Sequence, residues 1–202
     1  MLAVVINTCA GSSDLEVLAR RGSFDNPGKH PYAMRAAKLE EMLWRYDRLD
    51  RVIVVGEWDY GYDYLYVHSP GATKSPIDPL LQRHAAVMEF DADFYVFLND
   101  DHYIRPQDLE RLQKLQPEGA VAFGRAVFIN NTAHKRDTGW PGYIMGHACG
   151  LSRAALQAVP WNTVPATANW DVEHTTLLRA ANVGITHLPD IIAWDIEEGE
   201  AP

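Results

Sequence analysis

The stretch YVFLNDDHYI, residues 95–104, sets an apolar run against two adjacent carboxylates, Asp100 and Asp101. Like charges side by side repel, and burying them unpaired is costly. A hard divalent cation would offset that repulsion. Such an ion takes one or two carboxylates, keeps waters, and completes its shell with substrate phosphates. It would also stabilise charge developing on a phosphate leaving group. The alternative is a solvated Asx turn ahead of a helix entered at Pro106. A second candidate is MGHACGLSRAAL, residues 145–156. Gly146, Ala148 and Gly150 would let the backbone approach a ligand closely, or let a turn pack tightly on a sheet. A third is NWDVEH, residues 169–174. Asp171 falls in the first turn of a helix, whose N-terminus favours the ionised form. An ionised carboxylate beside a pocket can serve as general base; a helix-start acid without chemistry is the alternative. Glu173 competes for the role but points about 200° round the helix from Asp171.

The elements that must position these groups are legible in the hydrophobic pattern. LAVVIN (2–7), RVIVVG (51–56), YLYVH (64–68), FYVFL (94–98) and AVAFG (120–124) are short, apolar and rich in β-branched or aromatic residues, as buried strands are. Pro31 opens a helical pattern in which Leu39, Met42, Leu43 and Tyr46 share a face. Helices are also predicted over 75–90, entered through Pro79, and over RPQDLERLQKL. Ser152 is placed to cap RAALQAV. The helix after Asn169 is predicted to end at Gly184, and ITHL and IIAW to close the chain as short strands. Strands alternating with helices predict a mainly parallel sheet covered on both faces. In such sheets ligands bind beyond the carboxyl ends of the strands. The turns at Cys9, at 57–63 and at 99–101 all follow strands and are expected to converge on one edge.

The totals bound the class. The chain has 202 residues, enough for one domain burying roughly 70% of its unfolded surface. A net charge of −9 does not favour sequence-blind attraction to nucleic acid or to anionic membranes. Two cysteines, Cys9 and Cys149, do not make a secreted disulfide framework and read as reduced and structural. The opening MLAVVINT lacks a basic leader and reads as a first strand. No run approaches the roughly 18 apolar residues of a membrane span. The expectation is a cytoplasmic protein.

Taken in order, these motifs resemble the GT-A fold nucleotide-sugar glycosyltransferases, especially the large inverting family. VVINT matches the family's opening strand, V-V-I-x-T. FLNDD gives Asn99-x-Asp101, a variant of the D-x-D metal motif. GHACGLSR matches a Gly-rich segment ending in L-S-R. WDVEHTTLLRAANVGITHLPD matches the helix opened by an E-D pair, with Trp170 in place of the first acid. The resemblance covers most of the chain. It implies an α/β fold built as a single GT-A (Rossmann-like) domain, with a mainly parallel central sheet and helices on both faces. Residues 1–104 would form the nucleotide-sugar and metal half, and 105–202 the acceptor and catalytic-base half.

The resemblance also implies roles. Asp101 would ligate Mn²⁺ or Mg²⁺, with Asp100 ligating it or contacting the donor ribose, and Asp195 standing where relatives supply a late metal ligand. Charge in the acidic tail DIEEGE is the other reading of Asp195. Asp171 would be the catalytic base. Thr8 would line the nucleotide pocket, Glu57 or Asp59 would hold the base, and Arg83 would reach the donor, a UDP-sugar. Gly146, His147, Trp170 and Trp140 would lie on the acceptor side. His102, His147 and His174 read as polar contacts near the site rather than as ligands.

The acceptor stays open. Loops 20–31 and 127–144 are expected to frame its site. Arg125, His134, Lys135, Arg136 and Trp140 combine cations with aromatics and could grip nucleic acid. Compact GT-A enzymes of viral origin resemble this chain in size and glycosylate hydroxymethylated pyrimidines in DNA, which would have to be flipped into the pocket. A sugar, peptide or small-molecule hydroxyl is the other possibility. Two further classes are a sugar nucleotidyltransferase and a non-catalytic nucleotide-binding module. The former normally shows a Gly-rich, Arg-containing loop after strand one, whereas TCAGSSDLEV has one glycine and no arginine. A metal-dependent phosphohydrolase is disfavoured, because no clustered His/Asp ligand set accompanies NDDH.

Overall fold

The computed structural model describes residues 1–7, 32–46, 49, 51–56, 64–68, 84, 87–99, 102–115, 118–122, 144, 148–163, 170–188 and 190–195. Its strands are β1 (Leu2–Asn7), β2 (Val52–Gly56), β3 (Leu65–His68), β4 (Phe94–Asn99), β5 (His102–Ile104), β6 (Ala120–Ala122), β7 (Ala148–Ser152), β8 (Ile185–His187) and β9 (Ala193–Asp195). Its helices are α1 (Tyr32–Arg45), α2 (Pro106–Leu115), α3 (Arg153–Gln157) and α4 (Trp170–Ala180), with a 3₁₀ turn at Trp161–Thr163. Seven strands form one sheet in the order β3-β2-β1-β4-β7-β6-β8. β1 runs parallel to β2 and β4, β2 to β3, and β6 to β8, while β7 runs against β4 and β6. The fold is therefore α/β with a mostly parallel central sheet.

The continuous apolar runs mark the strands covered on both sides. Every residue of β1 and the first five of β4 are buried, as parallel strands between two helical layers must be. Period-two alternation divides them. Ala3, Val5, Ile53, Val55, Tyr95 and Phe97 face the layer that contains Ala155 and Leu156 of α3 and Leu178 of α4. Val4, Ile6, Val54, Val96 and Leu98 face Leu39 and Met42 of α1 and Leu109 and Leu112 of α2. Helices thus cover both faces. Among the described residues no helix is long and apolar enough to cross a membrane.

Local chemistry fixes the helix ends. The Ser152 hydroxyl accepts from the Ala155 N–H at 3.1 Å, capping α3, and donates to the Glu118 carbonyl at 2.6 Å. The buried Asp108 in the first turn of α2 accepts from Arg105 at 2.9 Å and from Arg111 at 3.1 Å. α4 ends earlier than its Gly184 suggested. Asn182 takes the left-handed conformation (φ 58°), and the Gly184 carbonyl instead accepts the Ala120 N–H at 2.9 Å.

Two sequence expectations change. Ala148 and Gly150 do not line a ligand turn; they lie inside β7, paired with Leu98 and Val96. A Cβ on Gly150 would meet Phe94 Cζ at 2.5 Å and Val121 Cγ2 at 2.6 Å, so the glycine serves packing. The chain after Asp101 does not run straight from an Asx turn into α2, because His102–Ile104 forms β5. The IIAW segment does contribute a short strand, β9, which pairs with β5 in a separate two-stranded sheet.

Candidate active site

The registers bring the strand ends together. Asn7 pairs with both Val55 and Asn99, and Gly56 pairs with His68. β7 enters from the same side, with Ala148 opposite Leu98. The described chain therefore leaves the sheet along one edge just before Thr8, Glu57 and Asp100, and enters it there just after His147. The convergence expected of β1, β2 and β4 is present. Thr8, Glu57, Asp59, Arg83, Asp100, Asp101, Trp140, Gly146 and His147 themselves lie outside the described residues, as do Cys9, loop 20–31 and all of loop 127–144 except Ile144. Trp170, Asp171 and Asp195 are described by their backbone alone.

Two elements bring distant parts of the sequence to that edge. β9 pairs antiparallel with β5, placing Asp195 opposite His102, the residue after Asp101. α4 is oriented with its N-terminus toward that edge. Its far end is fixed by Gly184, which meets Ala120 at the level of Tyr95 through Leu151. His174, a turn after Asp171, reaches the level of Phe97 through His84. Asp171 stands about 4.5 Å farther along the helix axis than His174, and Asn99 about 6.6 Å beyond Phe97 along β4. The direction from Gly184 to His174 along α4 is thus the direction in which β4 runs to Asn99.

β5 is held from its other side by a side chain. Tyr46, at the end of α1, donates its hydroxyl hydrogen to the Ile104 carbonyl at 3.0 Å and accepts the Ile104 N–H at 2.9 Å. One phenol thus does what a neighbouring strand would do for that residue. Burial raises the Tyr46 pKa well above that of an ordinary phenol, so the group stays protonated and able to donate. Arg45, paired with Glu41, lies 4.4 Å over the Tyr103 ring and packs against the same strand.

Polar groups the sequence reading did not single out are buried nearby. Asn7 is 6% exposed, and its Oδ1 has no hydrogen-bond partner among the described residues. The signal was present: one polar residue ends an otherwise apolar strand. His174 is not the polar contact expected of it. It is fully buried between His84 and Trp161. His84 gave only a faint signal, next to Arg83 in an apolar helix. Cys149 is a buried residue of the core.

No protein-family model matches the chain, and no curated protein matches it in sequence. Solved structures do share its fold. A CMP:2-keto-3-deoxy-manno-octonic acid synthetase complexed with CTP aligns over 93% of this chain and 89% of its own, at TM-score 0.54 and 14% identity. A nucleotidyl transferase from Methanothermobacter thermautotroptrophicus aligns over 94% and 87%, at TM-score 0.54 and 12% identity. TarS 1–349 of S. aureus in complex with UDP-GlcNAc aligns over 95% of this chain and 57% of that one, at TM-score 0.53 and 14% identity. This chain therefore spans little more than half of TarS 1–349. At these identities the likeness is one of fold: the GT-A-like, Rossmann-like fold of nucleotide-sugar and nucleotidyl transferases.

Proposed function

We propose that the chain is a metal-dependent inverting glycosyltransferase, moving a sugar from a nucleoside diphosphate donor to an acceptor hydroxyl. What supports this reading is where the fold directs three carboxylate-bearing regions. β4 ends at Asn99, leading into Asp100 and Asp101; β9 sets Asp195 opposite His102; α4 carries Asp171 in its first turn and points that turn toward the same edge. The regions are remote in sequence, and packing alone does not require acids in all three.

The donor set is all oxygen, which suits Mn²⁺ or Mg²⁺. The Oδ1 of Asn7, without a partner among the described residues and level with Asn99, is a buried acceptor that a bound group at this edge would satisfy. Asp101 would hold the ion, with Asp100 and Asp195 completing the set. The ion, when bound, offsets charge on the diphosphate. The chain's own groups do the rest. Thr8, Glu57 or Asp59 orient the nucleoside, and Arg83 pairs with the phosphates. Asp171 accepts the proton of the acceptor hydroxyl. That oxygen attacks the anomeric carbon from the face opposite the diphosphate, and a single displacement inverts configuration. Trp170, Trp140, Gly146 and His147 stand on the acceptor side.

The test is release of nucleoside diphosphate from a panel of UDP-sugars, with Mn²⁺ present and water or added hydroxyls as acceptor. Asp171→Asn should lower turnover by roughly 10²–10⁴-fold, the usual scale for losing a general base, with donor affinity little changed. Full turnover in that variant refutes the assignment. The equal likeness to nucleotidyl transferases favours a second reading, transfer of a nucleotide onto a sugar phosphate. Pyrophosphate released from CTP or UTP in the presence of sugar phosphates would identify that chemistry. The missing Arg-containing loop after β1 weighs against it.

A further inference from the structure

Two histidines meet in the core beneath the first turn of α4. His84 is 2% exposed and His174 is 0% exposed. Their ring centroids lie 5.0 Å apart at 87°, edge to face. His84 also stacks on Phe97 at 4.1 Å, and Trp161 closes the cluster at 4.8 Å from His84 and 5.4 Å from His174. All four ring nitrogens are buried and have no hydrogen-bond partner among the described residues. Each neutral imidazole has one donor and one acceptor to satisfy, so phenylalanine would fill this space without that penalty. The pair is therefore not explained by packing.

Its position is suggestive. His174 is one helical turn after Asp171, and His84 directly follows Arg83. The contact thus ties the residue that follows the proposed donor-side arginine to the helix that carries the proposed base. Neighbouring anchors are neutral. The Thr175 hydroxyl accepts the Ile144 N–H at 2.8 Å, and the Trp161 indole N–H donates to the Leu156 carbonyl at 2.6 Å.

We infer that His84 and His174 are positioning residues whose contact seats the N-terminal turn of α4 while both rings are neutral and releases it when they are protonated. Their relevance to catalysis rests on the transferase reading; the latch itself does not. Burial lowers both pKa values, His174 to about 3 and His84 well below the ordinary range, where a charge on His174 would lower it further. Among the described residues, the titratable groups on this face also include the Tyr95 phenol, whose pKa burial raises, the His187 imidazole two residues after Ile185, whose pKa burial lowers, and the Cys149 thiol. Glu173 on α4 and Glu89 after His84 sit at or near the surface. Trp161, Phe97 and the α3 residues Ala155 and Leu156 carry no charge.

The sign follows from linkage. Released histidines titrate near 6.5 and seated ones far lower, so the released state binds more protons below about pH 6.5. Seating is complete above that pH. It weakens as pH falls, by up to tenfold per pH unit for each histidine. Hydrogen-exchange protection of the α4 amides in the full chain, corrected for intrinsic rates, reads this directly. Between pH 6.5 and 5 the logarithm of protection should fall with a slope between one and two. Amides of α2, on the opposite face, should fall less. In His84→Phe and His174→Phe the slope should drop to one or below, with protection at pH 5 at least tenfold above wild type. If a variant folds poorly, imidazole ¹⁵N shifts of the wild-type chain serve instead, and must show both rings neutral at pH 5.5 in the seated form. The acid limb of donor turnover should also move to lower pH in the phenylalanine variants. α4 protection that is flat with pH, that falls in step with α2, or that is unchanged by both substitutions overturns the inference. None of the exchange measurements uses a sugar donor, so they stand or fall apart from the Asp171→Asn test.

Discussion

Replacing Tyr46 with Phe removes one oxygen atom and tests how β5 is held. The hydroxyl is buried with its residue 1% exposed, and Ile104, which it serves, is 0% exposed. Successive residues of a strand present their N–H and C=O groups to opposite sides. The Ile104 pair faces Tyr46, where the described residues supply no further strand. In the variant both backbone groups stay buried and lose their partner. A buried backbone group left unsatisfied costs about 1–3 kcal/mol. Two such groups, softened by local relaxation, give an expected destabilisation of about 2–4 kcal/mol. Urea unfolding followed by tryptophan fluorescence is the assay; with a slope of about 2 kcal/mol/M the midpoint should fall by about 1–2 M. Loss of exchange protection at the Ile104 amide should accompany it. Arg45→Ala provides the contrast, because its contact with the Tyr103 ring is worth only about 0.5–1 kcal/mol. A midpoint within about 0.25 M of wild type, or an Ile104 amide as protected as before, would refute the claim that the phenol substitutes for a strand. Because β5 follows Asp101 and carries β9, the variant should also weaken Mn²⁺ binding more than its stability loss explains.

Two other outcomes follow from the same geometry. Gly150→Ala places a methyl against Phe94 and Val121 in the middle of the sheet, so it should destabilise by about 1–3 kcal/mol, read as a lowered thermal midpoint; an unchanged midpoint would show that Phe94 can step aside. Excess EDTA should stop sugar transfer and added Mn²⁺ should restore it; turnover undiminished by the chelator would remove the ion from the mechanism.

Much of the scaffold is legible before any coordinates. LAVVIN, RVIVVG and FYVFL are read as buried strands because two helical layers leave them no polar face, and the pattern of Leu39, Met42 and Tyr46 is read as the inner face of α1. The Ser152 cap is visible because a short hydroxyl side chain before an apolar helical run has one favoured use. The expected edge is visible for the same reason: parallel strands joined by helices all end on one side. Less was legible at the site. Nothing in HYI or AWD marks two three-residue strands as partners, because such segments are too short for a period to show. GHACG reads as a turn from its small residues. It is a strand because it ladders with β4 and β6, and its glycine leaves the space that Phe94 and Val121 occupy.

The sequence by itself determined which segments bury and which carry acids, since burial and local geometry are written in residue type and spacing. Only the tertiary structure decided who meets whom. β7 is inserted between β4 and β6, Asp195 faces His102, Tyr46 closes the edge of β5, and His84 rests against His174. The physical reason is that hydrophobic burial is not directional. It tells a residue to leave water without naming its neighbour, and the neighbour is chosen by the way a single set of ladders and helices can fill the space together.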